Sequence, residues 1–120
     1  MPDRACRDFQ KDEQMAGFVV VTGVSTGIGR AAVRELTAHG HHVFGSVRTD
    51  ADAVALVAEF GDKVTPLVFD VTDTKGLEAA VAIVHERVGD RGLKALVNNA
   101  GVALGGPLMH QPLDEIRRMF

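Results

Sequence analysis

The segment Thr22-Gly23-Val24-Ser25-Thr26-Gly27-Ile28-Gly29 joins a short apolar run, Phe18 to Val21, to a stretch with helical spacing. A strand that passes through glycines straight into a helix puts unpaired amide N–H groups and a partial positive charge at the end of a sheet. That arrangement attracts phosphate. The glycines permit a tight turn, close approach of backbone to a pyrophosphate, and close packing of helix on strand. Ser25 and Thr26 add hydroxyl donors. Gly27-Ile28-Gly29-Arg30-Ala31-Ala32 also satisfies the general G-x-G-x-x-A dinucleotide pattern. That pattern is weak alone and gains weight from its place between a strand and a helix. No Gly-Lys-Ser/Thr follows the glycines, which excludes a P-loop.

Two further polar clusters stand at the ends of apolar runs: Asp70-Val71-Thr72 and Asn98-Asn99-Ala100-Gly101. His39, His41 and His42 are read as solvated turn residues. Their turn belongs to the sheet end opposite the glycines, and no Cys or carboxylate completes a metal set, so no metal site is assigned.

The elements that must position these groups alternate regularly. Phe18 to Val21 reads as a buried parallel strand. A helix is predicted over about 28–38, with Ile28, Ala32 and Leu36 on one face and His39-Gly40 closing it. Val43 to Val47 is a second strand. Asp50 is the expected cap of a helix over about 51–60, ended by Gly61. Val64 to Phe69 is a third strand; Pro66 places it at a sheet edge or near its own start, because proline cannot donate to the ladder. Thr72 or Asp73 caps the next helix, in which Leu77, Val81, Val84 and Val88 form a stripe. Gly89 to Gly92 ends it, Leu93 to Val97 is a fourth strand, and Pro112 suits the first turn of a last helix. Strict strand–helix alternation implies right-handed crossovers and a parallel sheet covered on both faces. The predicted fold is α/β, the first half of a Rossmann-like doubly wound sheet, with strand order 3-2-1-4.

The bulk numbers narrow the partners. The chain has 120 residues, 46% of them hydrophobic, enough for one small packed domain. A net charge of −3 gives no electrostatic reason to expect nucleic acid or an anionic membrane. No apolar run is long enough to suggest a membrane span. Residues 1–16 are polar and of mixed charge, and are expected to be a disordered leader without a secretory signal; Met15 is an alternative start. A lone cysteine, Cys6, fits a reducing cytoplasm. The expected domain therefore spans 17–120.

The spacing of Thr22-Gly23-x-x-x-Gly27-Ile28-Gly29, with Asp70-Val71-Thr72 and Asn98-Asn99-Ala100-Gly101 following in order, resembles the short-chain dehydrogenase/reductase family. The resemblance covers residues 17–120. It implies that Gly23, Gly27, Ile28 and Gly29 line a pyrophosphate. It implies that Asp70 accepts from an adenine amino group, with the Val71 backbone beside it. Asn98, Ala100 and Gly101 would border the adenosine ribose and the approach to a nicotinamide. Asn99, with Thr22, is expected to tie strand ends together and not to touch cofactor.

The end of the second strand bears on the choice of cofactor. Where NAD-preferring enzymes place an acidic residue for the ribose hydroxyls, this chain has Val47 followed by Arg48. A guanidinium can pair with a 2′-phosphate that a carboxylate would repel. Ser25, Arg48 and Thr49 therefore suggest NADP over NAD. Thr26 lacks the extra basic charge some NADP-preferring members carry at its position.

Catalysis in the family rests on a Tyr-x-x-x-Lys pair with a Ser and often an Asn, and this chain has no tyrosine. It is expected to be a truncated piece, inactive alone and without catalytic residues, of an oxidoreductase that exchanges hydride between NADP(H) and a small carbonyl or alcohol. The resemblance also implies a homo-oligomeric full-length protein. The alternative is a non-catalytic, redox-sensing dinucleotide module. An S-adenosylmethionine methyltransferase is a weaker reading, since it would want an acid where Val47-Arg48 stands.

Overall fold

The computed structural model describes residues 16–102 and 106–120. The expected leader, including Cys6 and Met15, lies outside the described residues except for Ala16. The elements are β1 (Phe18–Val21), α1 (Gly27–Ala38), β2 (His42–Val47), α2 (Asp50–Phe60), β3 (Val64–Val68), α3 (Thr74–Val88), β4 (Leu93–Val97) and α4 (Leu113–Met119). The four strands form a parallel sheet in the order β3-β2-β1-β4, the order the alternation predicts.

Alternating side chains divide the strands between two cores. Val19, Val21, Val43, Val47 and Val64 face Val33 of α1 and Leu56 of α2. Phe18, Phe44 and Leu67 face the other way, onto Ala80 and Val88 of α3. Burial on both faces explains why β1 and β2 are almost continuously apolar. The α3 stripe Leu77, Val81, Val84 and Val88 lines an apolar cleft of about 420 Å³ against Val20, Leu93 and Leu96.

Several local expectations shift by a residue. The buried stripe of α1 is Gly29, Val33 and Thr37, flanked by partly buried Ala32 and Leu36. Ile28 is 81% exposed and leaves the core face. The stripe moves because the helix makes its closest approach to the β1 exit at Gly29. Thr49, not Asp50, caps α2: its hydroxyl accepts from the Asp52 amide at 3.2 Å. Asp73 caps α3 through the Lys75 amide at 3.2 Å. Pro112 directly precedes α4. Pro66 stands mid-strand opposite Gly45, and β3 is the sheet edge, where its missing N–H costs no ladder bond.

Of the three clustered histidines, only His39 is exposed. His41 Nδ1 accepts from the Gly17 amide at 3.1 Å. His42, the first residue of β2, packs edge-on against Phe18 and Phe44 and shares a 2.7 Å hydrogen bond with the Thr65 hydroxyl. His41 and His42 are structural pins at the amino end of the sheet, which corrects their reading as solvated; exposed His39 keeps it. Among the described residues, no helix is long and apolar enough to cross a membrane.

Candidate functional site

In a parallel sheet every strand exit lies on one edge. Here that edge carries the glycine turn after β1, Arg48 after β2, Asp70-Val71 after β3 and Asn98 to Gly101 after β4. β1 pairs with β2 on one side and β4 on the other, so the chain order reverses between β1 and β4. Connections leave in opposite directions there and open a crevice over the glycine turn.

Neighbouring strands hold the turn from below and from one side. The Gly23 amide donates to the buried Ser46 hydroxyl at 2.9 Å, and the Val24 amide to the Ser46 carbonyl at 3.0 Å. Val24 is fully buried over β2, in space left by Gly45, where a Cβ would meet Val24 Cγ2 at 2.6 Å. From β4, the Asn99 and Ala100 amides donate to the Thr22 hydroxyl at 3.0 and 2.9 Å. The Asn99 side-chain amide donates to the Gly23 carbonyl at 2.9 Å. Thr22 and Asn99 thus tie the strand ends, as the sequence suggests. Local sequence does not single out Ser46; its one signal is a lone hydroxyl within the run Val43 to Val47.

The glycines divide the work. Gly23 has φ +72°, and a Cβ there would lie 2.8 Å from Ala100 Cα. A Cβ on Gly29 would fall on the Gly23 carbonyl oxygen and 2.6 Å from Asn99 Nδ2. Both are needed for close packing. Gly27 differs: its φ is +62°, and nothing lies within 4 Å of where its Cβ would be. It faces open space at the first residue of α1. Thr49 and Asp73 cap the two following helices with their side chains, whereas Thr26 makes no such bond at the start of α1. The first amides of α1 are therefore without a side-chain cap, the state in which a helix N-terminus can take up an anion, and exposed Ile28 stands beside them. This edge fits a diphosphate.

The other predicted residues stand at strand exits on the same edge of the sheet. Asp70 is exposed, and its Oδ1 accepts from the Thr72 amide at 3.0 Å and the Thr72 hydroxyl at 2.8 Å. Those bonds, with the charge of Arg48 nearby, hold its carboxyl below the ordinary aspartate range, so it is an acceptor at neutral pH. Asp73, not Asp70, caps the helix. Arg48 is exposed at the β2 exit, Asn98 and Gly101 are exposed at the β4 exit, and Ala100 is half-buried against Gly23. Ser25 lies half-buried on the turn. Among the described residues, no group of three His, Cys, Asp or Glu gathers as a metal site.

The family described as short chain dehydrogenase matches this chain over residues 17–120. The chain belongs to that family. It is 46% identical over 103 residues to the NADPH-dependent 3-dehydrocapnine reductase of Ornithobacterium rhinotracheale, covering 86% of this chain and 36% of that protein. It is 41% identical over 94 residues to "Probable NADP-dependent dehydrogenase in aabA 3'region" of Dichelobacter nodosus, covering 78% of this chain and 87% of that one. Among solved structures, the NADPH-bound carbonyl reductase from chicken fatty liver superposes with a TM-score of 0.76 at 28% identity, over 87% of this chain and 41% of its own. The chain spans about a third of the length of the first curated relatives it matches. The glycine turn, Asp70-Val71-Thr72 and Asn98-Asn99-Ala100-Gly101 each follow the end of a strand.

Proposed function

We propose that this chain is the NADP(H)-holding part of an oxidoreductase acting on a small carbonyl or alcohol. The observation that carries the reading is the start of α1, uncapped by any side chain and opening on Gly27 in the crevice between β1 and β4. In this reading the amides around Gly27, Ile28 and Gly29 bind the pyrophosphate, with Ser25 and Thr26 adding hydroxyls. Asp70 accepts from the adenine amino group beside the Val71 backbone. Asn98, Ala100 and Gly101 border the ribose and the nicotinamide approach. When bound, the cofactor supplies or accepts the hydride; the residues of this chain bind and orient it.

Arg48 supports NADP over NAD. It is exposed at the exit of β2, directly after Val47, which stands where a ribose-binding acid would be expected. A relative and a structural neighbour whose names carry NADPH add to that support. The chain contains no tyrosine, so we assign it no catalytic residue. A cytoplasmic location and a homo-oligomeric whole protein complete the proposal, the first resting on the single cysteine and the second on the family.

The test is a titration of the full chain with NADPH and NADH followed by nicotinamide fluorescence. Wild type should bind NADPH more tightly. Arg48→Ala should shrink the preference about tenfold, the size of losing one charge-assisted pair. An unchanged preference would remove Arg48 from the 2′-phosphate site.

A further inference from the structure

Arg30 follows the last glycine of the turn and is bound on two sides. Its Nη1 donates to the Ser25 carbonyl at 2.9 Å. Its Nε donates to Glu59 Oε2 at 2.7 Å, and Nη2 engages the same oxygen. Arg34, one turn further along α1, donates to the other oxygen, Oε1, at 2.8 Å. Glu59 therefore sits in the last turn of α2 between two guanidinium groups. The bonds from Arg34 and Arg30 hold its carboxyl below the ordinary range, so the anion persists at neutral pH. The Arg30 side chain is 27% exposed, which leaves it partly screened from competing water.

We propose that Arg30 is a positioning residue for the phosphate turn, clamping the Ser25 carbonyl while Glu59 of α2 fixes its guanidinium. The proposal rests on the dinucleotide reading of the turn. The Ser25 carbonyl and the Thr26 N–H belong to one planar trans peptide, so a carbonyl held toward Arg30 turns that N–H the opposite way. Thr26 is the N-cap residue directly before α1, and its side chain makes no capping bond. Arg30 thus sets the peptide orientation at the entry to the open amides before a ligand arrives, lowering the ordering cost of binding. The planar fork makes this an arginine task. Two donors meet one carboxylate oxygen while a third reaches the carbonyl, which a single ammonium on a flexible stem cannot reproduce in fixed geometry.

Arg34 provides the comparison, since it pairs with the same carboxylate and, among the described residues, makes no bond to the turn. Arg30→Met and Arg34→Met each remove one positive charge and one partner of Glu59. NADPH affinity of the full chain, read by fluorescence titration, should fall about five- to tenfold in Arg30→Met and less than about twofold in Arg34→Met. Loss for NADH should match that for NADPH, because the clamp acts at the pyrophosphate and not at the 2′-phosphate. Arg30→Lys keeps the charge and should recover little of the loss; it also carries the test if Arg30→Met melts early by circular dichroism. Full recovery by lysine would reduce Arg30 to long-range charge and overturn the clamp. Equal losses in the two methionine variants would overturn it too, as would wild-type affinity in Arg30→Met. A wild-type chain that leaves NADPH fluorescence unchanged would instead overturn the dinucleotide reading itself.

Discussion

The Asn99 side-chain amide donates to the Gly23 carbonyl at 2.9 Å, joining the exit of β4 to the turn that leaves β1 across 76 positions of sequence. The same asparagine sends its backbone amide to Thr22 Oγ1. One residue thereby fixes both the spacing of two strands and the peptide that begins the phosphate turn. A partly buried carbonyl left without this donor loses a bond the fold has no other described donor to supply. Asn99→Ala is expected to lower unfolding free energy by about 1–2 kcal/mol, measured by urea denaturation. An unchanged midpoint would show that the tie contributes nothing to stability.

Gly29 is the most closely confined of the described glycines. A Cβ there would meet backbone, the Gly23 carbonyl, which cannot swing away as the end of a flexible side chain can. Gly29→Ala should cost at least about 2 kcal/mol and abolish dinucleotide binding, whereas Gly27→Ala should spare packing and suffer only its φ of +62°. Thermal melts of the two variants separate the roles. A Gly27→Ala protein less stable than Gly29→Ala would contradict the division.

His42 gives the fold a pH dependence. Burial is the main cause lowering its pKa from 6.5, the charge of Arg87 adds to it, and Asp62 opposes. A histidine that is harder to protonate in the folded chain leaves the unfolded chain holding more protons at mildly acidic pH. Its contribution is fully present above about pH 6.5 and is lost as pH falls through the lowered folded value. Stability measured by denaturant between neutral and mildly acidic pH should decline in wild type. His42→Gln, which retains a partner for Thr65, should flatten that decline. An equally steep decline in the variant would assign it to other groups.

Much of this arrangement is legible in the sequence because parallel strands advertise themselves. Val19 to Val21 and Val43 to Val47 are apolar on both faces, and glycines or capping residues punctuate every element. The strand order and the placement of Gly23, Asp70 and Asn98 at one edge follow from that alternation. Single-residue phase is less legible: Ile28 has the right spacing for the core face of α1, yet the close approach at Gly29 rotates the stripe to Val33 and Thr37. Thr49 and Asp50 are both good caps, and only the backbone geometry chooses Thr49. His41 and His42 look like loop residues because their partners, Gly17 and Thr65, are distant in sequence. Ser46 and Arg30 escape for the same reason, since each acts on the turn through a contact that no local pattern encodes.

The central claim is that NADP lies on the open amides at the start of α1, and amide mapping tests it most directly. A ¹⁵N-labelled full chain titrated with NADP should show its largest shift changes at Gly27, Ile28 and Gly29. Smaller changes should appear at Asp70 and Val71, with His39 and Gly61 at the far edge of the sheet unmoved. NADP that saturates the chain while leaving Gly27 to Gly29 unshifted, or that moves no amide at all, would contradict the account.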